Sequence, residues 1–171
     1  MASVSLSPMS IAILRHLIAT LAYRAAKVLR DAPPGFATAS VGPSTRQPVA
    51  IVGHMADLMA WAVTLAHDEY VWNAGRSDEW DVEVRRFFDR VAELDAALAA
   101  GSPSADSVEK MIQGPLADAL THVGQLAMIR GMIGAPVRPE SYARASIVTG
   151  RVGLDQAPAV REFDGDASAR K

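Results

Sequence analysis

The chain has 171 residues, enough for one domain with a proper core and too few for two comfortable ones. Half of it is hydrophobic, only 6% is aromatic and alanine is abundant, which favours helices over sheets. A net charge of −2 gives no electrostatic basis for nucleic acid or an anionic membrane, and the lack of cysteine excludes disulfides, a protein thiol nucleophile and any sulfur-ligated zinc site.

The N-terminal MASVSLSPMSIAILRHLIATLAY has no basic leader, and Arg15 and His16 interrupt its apolar run, so no targeting segment is expected there. No uninterrupted apolar stretch approaches the length of a membrane span, and a soluble cytoplasmic protein is the expectation. Ser7 followed by Pro8 reads as a cap and first helical position. Ile11, Leu14, Leu17 or Ile18, Leu21 and Val28 then recur at helical spacing to about Arg30, where DAPPG at 31–35 stops the helix. Residues 31–47 read as a connection longer than bundles usually need, either covering one end of the bundle or standing in solvent.

A second helix is predicted over 48–71, with Ile51, His54, Leu58, Trp61 or Ala62, and Leu65 on its inward stripe. An imidazole in an apolar stripe must be hydrogen-bonded, ligated or lodged in a wet pocket. His67 and His16 lie off the corresponding faces and are left outside any site. Asp57, one turn from His54, reads either as a proton acceptor behind it or as a surface carboxylate. After a short turn, Ser77 or Asp78 caps a third helix whose stripe is Trp80, Val84, Phe87, Phe88, Val91, Leu94 and Leu98. Asp81, Glu83, Arg85, Arg86, Asp89 and Glu93 read as its solvated face.

Residues 104–113 form a short helical lead-in, and Gly114-Pro115 allows a bend before the most informative helix, 114–134. Gly134 with Pro136 beyond it ends that helix. Inside it, Asp118 and His122 stand four apart and project from one face, which Gln125, Ile129 and Met132 continue. A carboxylate and an imidazole so placed can grip one metal ion if a third ligand arrives from another helix, and His54 is the candidate. A core histidine satisfied by a side chain or a carbonyl is the competing reading of His54. Gln125 reads as a bond to a neighbouring helix or an orienter of water; Arg130, as a salt-bridge partner or a contact for an anionic substrate. No G-x-S-x-G elbow or phosphate-cradling glycine loop is present.

Past 134 the periodicity ends. Residues 155–171 read as an irregular tail, and 142–153 either share that character or pack back to bury Ile147, Val148, Val152 and Leu154. The whole chain, 1–171, reads as a single domain with its core over about 8–150.

Two segments, VGHMADLMAWA and GPLADALTHVGQLAMIRGMIGAPV, together resemble the DinB-like superfamily of bacterial four-helix bundles. The resemblance covers about residues 8–150 and implies an all-α bundle with a three-ligand metal site. His54 matches its first ligand and His122, with Val123, Gly124 and Gln125, its H-x-G-Q histidine; Asp118 stands where the family usually has a second histidine. Two imidazoles and a carboxylate still make a facial set, open to Zn, Ni, Fe or Mn. The implied function is a divalent-metal-dependent enzyme of thiol transfer, isomerisation or hydrolysis, acting on a small molecule with a low-molecular-weight thiol. The alternative is a non-catalytic metal- or small-ligand-binding protein of the same fold, stress-related or a scaffold. A homodimer is also expected. Ala117, Thr121, Gly124, Met128 and Gly131 form a stripe of small residues, apart from the metal face, whose glycines are expected to lie against a helix of the bundle or of a second copy.

Overall fold

Ser7 caps the first helix as its place before proline predicts: its hydroxyl accepts from the Ser10 N–H, and Pro8 fills the first turn. The computed structural model describes residues 7–163; residues 1–6 of the N-terminal segment and 164–171 of the expected tail lie outside them. The elements are α1 (Pro8–Leu29), a 3₁₀ turn (Phe36–Thr38), α2 (Pro48–Ala66), α3 (Trp80–Ala100), α4 (Ala105–Met111), α5 (Ala117–Met132) and a second 3₁₀ turn (Tyr142–Arg144). One π turn, Ile112–Leu116, joins α4 to α5, so the two make a single fourth rod. Among the described residues there is no β-strand, and an isolated antiparallel bridge pairs Glu140 with Glu162. The all-α class is as expected.

Side-chain contacts give the helix directions. Arg15 on α1 pairs with Asp95 on α3, while Phe36 beyond the end of α1 meets Trp80 at the start of α3, so α1 and α3 are antiparallel. Arg86 in the first half of α3 donates to the Gly53 carbonyl in the first half of α2, and Asp68 accepts from the Ser104 N–H beyond their ends, so these two run parallel. His54 lies beside Asp118 and Trp61 beside Gly114, so α5 is antiparallel to α2. The order is up, down, down, up.

The helix ends explain where the sequence reading overshot. α2 stops at Ala66 rather than 71 because Asp68 takes a left-handed conformation (φ 59°), with Glu69 N–H bonding back to Thr64 and Asp68 N–H to Leu65. Leaving the helix there carries the Asp68 carboxylate to the Ser104 N–H that starts α4. The same terminating motif, with Gly134 at φ 81°, ends α5 where the glycine was expected to. In the fourth rod Pro115 does not break the helix. It lacks an N–H, the turn widens, and Ala117 N–H reaches the Ile112 carbonyl five residues back.

Ile18 and Leu21 of α1, Met55 and Met59 of α2, Phe87 and Leu94 of α3, and Leu116 and Leu126 of the fourth rod are fully buried. α2 is long and apolar enough to cross a membrane by length and composition, despite the expectation that no stretch would be; 72% of it is buried inside the bundle. The long connection after α1 covers one end of the bundle, since Phe36 is inserted to 1% exposure. Glu83 and Asp57 are not surface carboxylates. Both are buried and share Arg86, with Ser77 N–H donating to Glu83 and Gly75 N–H to Asp57, which ties the 67–79 connection down.

Residues 135–163 have no long helix, yet they pack back across α1. Glu140 is buried and accepts from the Tyr23 hydroxyl (2.7 Å) and Lys27 (2.8 Å), while Glu162 takes a second Lys27 contact at 2.6 Å. Burial, then the bond to Glu140, pushes the Tyr23 hydroxyl well above its ordinary pKa. Val152 and Gln156 are buried and Ile147 packs on the core, whereas Val148 and Leu154 remain exposed. The small-residue stripe is overturned as an internal contact. All five of its residues are exposed, and a Cβ on Gly124 or Gly131 would meet nothing within 4 Å.

Candidate metal centre

Parallel α2 and α3 leave one flank of α2 for α5, and there the antiparallel crossing brings His54 opposite the first turns of α5. His54, Asp118 and His122 converge into a group that can hold a metal ion, with one donor atom from each all within 4.8 Å of one another. His54 Nε2 stands 3.4 Å from one Asp118 oxygen and His122 Nε2 stands 3.4 Å from the other. That is too long for a good hydrogen bond, which spans roughly 2.7–3.2 Å. The two contacts run to different oxygens of the carboxylate, so the three donors are gathered without a short bond between them. The donor set of two imidazoles and a carboxylate suits a divalent ion of the first transition series.

The two histidines each meet further side chains. His122 is buried and its Nδ1 is 2.7 Å from Gln125 Oε1; an amide oxygen can only accept, so Nδ1 is the donor and Nε2 is the nitrogen turned toward Asp118. Gln125 thus serves its own helix rather than a neighbour. The His54 ring lies 5.1 Å from that of His122 and 6.0 Å from that of Trp72, so an aromatic residue of the 67–79 connection stands beside the imidazole. Trp72 also meets Trp61, whose buried Nε1 has no hydrogen-bond partner. His54 keeps 28% of its side chain exposed and Asp118 46%, so it is no sealed core histidine, and the group is reachable from solvent.

A cavity of about 490 Å³ opens beside the triad, within the ordinary size of small-molecule sites. α5 supplies Gln125, Met128 and Ile129, α2 supplies Ile51, and the long connection after α1 supplies Val41, Ser44, Thr45 and Arg46. Met128 therefore belongs both to the exposed stripe and to the cavity, so the two faces are not as separate as expected. Sequence reasoning missed Arg46 and Trp72, because nothing in a loop's composition tells which way it folds back. Asp57 is engaged with Arg86 and Gly75 and makes no bond to His54.

Arg130 is outside this cavity and meets neither a carboxylate nor a substrate site on this face. Its guanidinium donates to the carbonyls of Val28, Arg30, Asp31 and Ala135, capping the C-terminal end of α1, where the helix dipole favours a cation. Burial lowers its pKa.

No family, characterised protein or solved structure matches this chain. Its class rests on fold and site: an all-α chain of four helical rods with a His-Asp-His group between α2 and α5.

Proposed function

We propose that this chain is a divalent-metal-dependent enzyme of the DinB-like superfamily, acting on a small molecule by thiol transfer, isomerisation or hydrolysis. The observation that carries the reading is the His54–Asp118–His122 group, whose donor atoms lie within 4.8 Å of one another beside the 490 Å³ cavity. His54, Asp118 and His122 would hold the ion, Zn, Ni, Fe or Mn. When bound, such an ion supplies Lewis acidity, lowering the pKa of a thiol or water and polarising a carbonyl.

The chain's own residues do the rest. Gln125 holds His122 in the tautomer that presents Nε2. Among the cavity residues only Asp118 and the two histidines can take up a proton, and the histidines present Nε2 to the ion. The oxygen of Asp118 not engaged as a ligand is thus the acceptor for a proton leaving an incoming thiol or water. With no cysteine in the chain, a reacting thiol must come from the substrate.

Elemental analysis tests the reading. We expect about one equivalent of a first-row divalent metal per chain in the purified protein, and near none in His54→Ala or Asp118→Ala that keep the helical circular-dichroism signal. Metal-free wild type, or variants that retain the metal, would sink the proposal. A screen for turnover with small thiols then separates an enzyme from a binding protein.

A further inference from the structure

The cavity beside the triad carries a cation that no acid among the described residues pairs with. Arg46 stands exposed on its wall, and among the described residues neither its guanidinium nor the Ser44 hydroxyl makes a hydrogen bond or ion pair. The acids within its neighbourhood are already engaged: Asp57 and Glu83, in an adjoining cavity that Arg46 also borders, are held by Arg86 and by the N–H groups of Gly75 and Ser77. Asp118 is the one carboxylate lining the triad's own cavity. A divalent ion there would outweigh it and leave residual positive charge.

The backbone that carries Arg46 is tied to the bundle. Its loop is anchored on one side by buried Phe36 and on the other by buried Pro48 in the first turn of α2, and the Thr45 hydroxyl closes a turn onto Gly42 at 2.8 Å. The positive end of the α2 dipole adds to its charge. Val41, Ile51 and Ile129 add apolar lining to the cavity that Arg46 shares with the triad. The geometry points to Arg46 as the anion-binding end of the cavity: the ligand is a small organic carboxylate whose other end, a thiol in the reading above, reaches the His54–Asp118–His122 group. This inference rests on the metal-dependent reading of the site.

Cobalt(II) loaded into the protein gives visible absorption that changes when a thiol enters the site, a readout independent of turnover. We expect 3-mercaptopropionate to bind about tenfold more tightly than its uncharged amide at low ionic strength, the order of one charge-assisted contact at an exposed site. Arg46→Gln should weaken the acid about tenfold, to the value of the amide, and leave the amide unchanged; Arg46→Lys should keep most of the preference. Equal affinities in the wild type, or an acid indifferent to Arg46→Gln, overturn the inference and leave the metal reading standing. A chain that takes up no cobalt overturns both.

Discussion

At the scale of single residues, His122 is held from its far side, and that support is testable. Gln125 fixes the proton on Nδ1 through a 2.7 Å bond, and removing such a partner typically weakens metal affinity about 10–100-fold. Gln125→Ala should show that loss in competition with a chromogenic chelator while the fold is kept; an unchanged affinity would mean that Gln125 orients nothing. The three candidate ligands were legible in the sequence because an i, i+4 pair common by chance coincides with an imidazole in an apolar stripe and with the resemblance around His122-Val123-Gly124-Gln125. Their company was not legible. A helical wheel gives the direction of a side chain, not the length of its reach: Glu83 and Arg86 count as outward on α3, yet the 67–79 connection lies over them and buries the acid. Arg130 likewise reaches past its own helix to the carbonyls that end α1.

Among the elements, helix existence followed from periodicity, and the misplaced boundary of α2 followed from Asp68, a residue that tolerates the left-handed conformation less obviously than glycine. The C-terminal segment had no period to read, so its docking on α1 depended on pairings that only the folded chain reveals. Its attachment is electrostatic at one point. The bond from Lys27 holds the Glu162 carboxyl below its ordinary value of 4.5, so the folded chain binds that proton more weakly than the unfolded one. The stabilisation is fully present above pH 4.5 and is lost as pH falls through the folded value. Hydrogen exchange over residues 140–163, corrected for intrinsic rates, should therefore accelerate relative to the bundle below pH 4.5. In Glu162→Gln the extra acceleration should vanish, and an identical pH profile in that variant would show the pair to be inconsequential.

For the whole molecule, a core spread over four rods should not need an ion to form. A chelator should leave the circular-dichroism signal intact at room temperature while lowering the melting temperature by about 5–10 °C from a state with metal at a hundred times its Kd. Collapse of the helical signal would make the ion structural. We also propose that the chain forms a homodimer through the exposed α5 stripe, where Met128 and the neighbouring Met132 are more than half exposed and no helix of the bundle covers Gly124 or Gly131. Gly124→Leu has free space in the monomer, so it should lower the mass seen by sedimentation without lowering the monomer's stability. A wild type that sediments as a monomer, or a variant with unaltered mass, removes the dimer from consideration.

The π turn between α4 and α5 acts as a phase shifter. A helix advances about 100° per residue, so an extra residue within one turn rotates everything downstream relative to everything upstream. The step from buried Met111 to buried Leu116 is the place where the apolar stripe would otherwise drift off the core. The Gly114 backbone rests on the Trp61 ring, where a Cβ would come within 3.3 Å, so the widened turn is seated against α2 on the helix that carries His54. Whether Asp118 and His122 face His54 is consequently decided a turn before either residue, by how many amino acids the chain counts out between two fixed points.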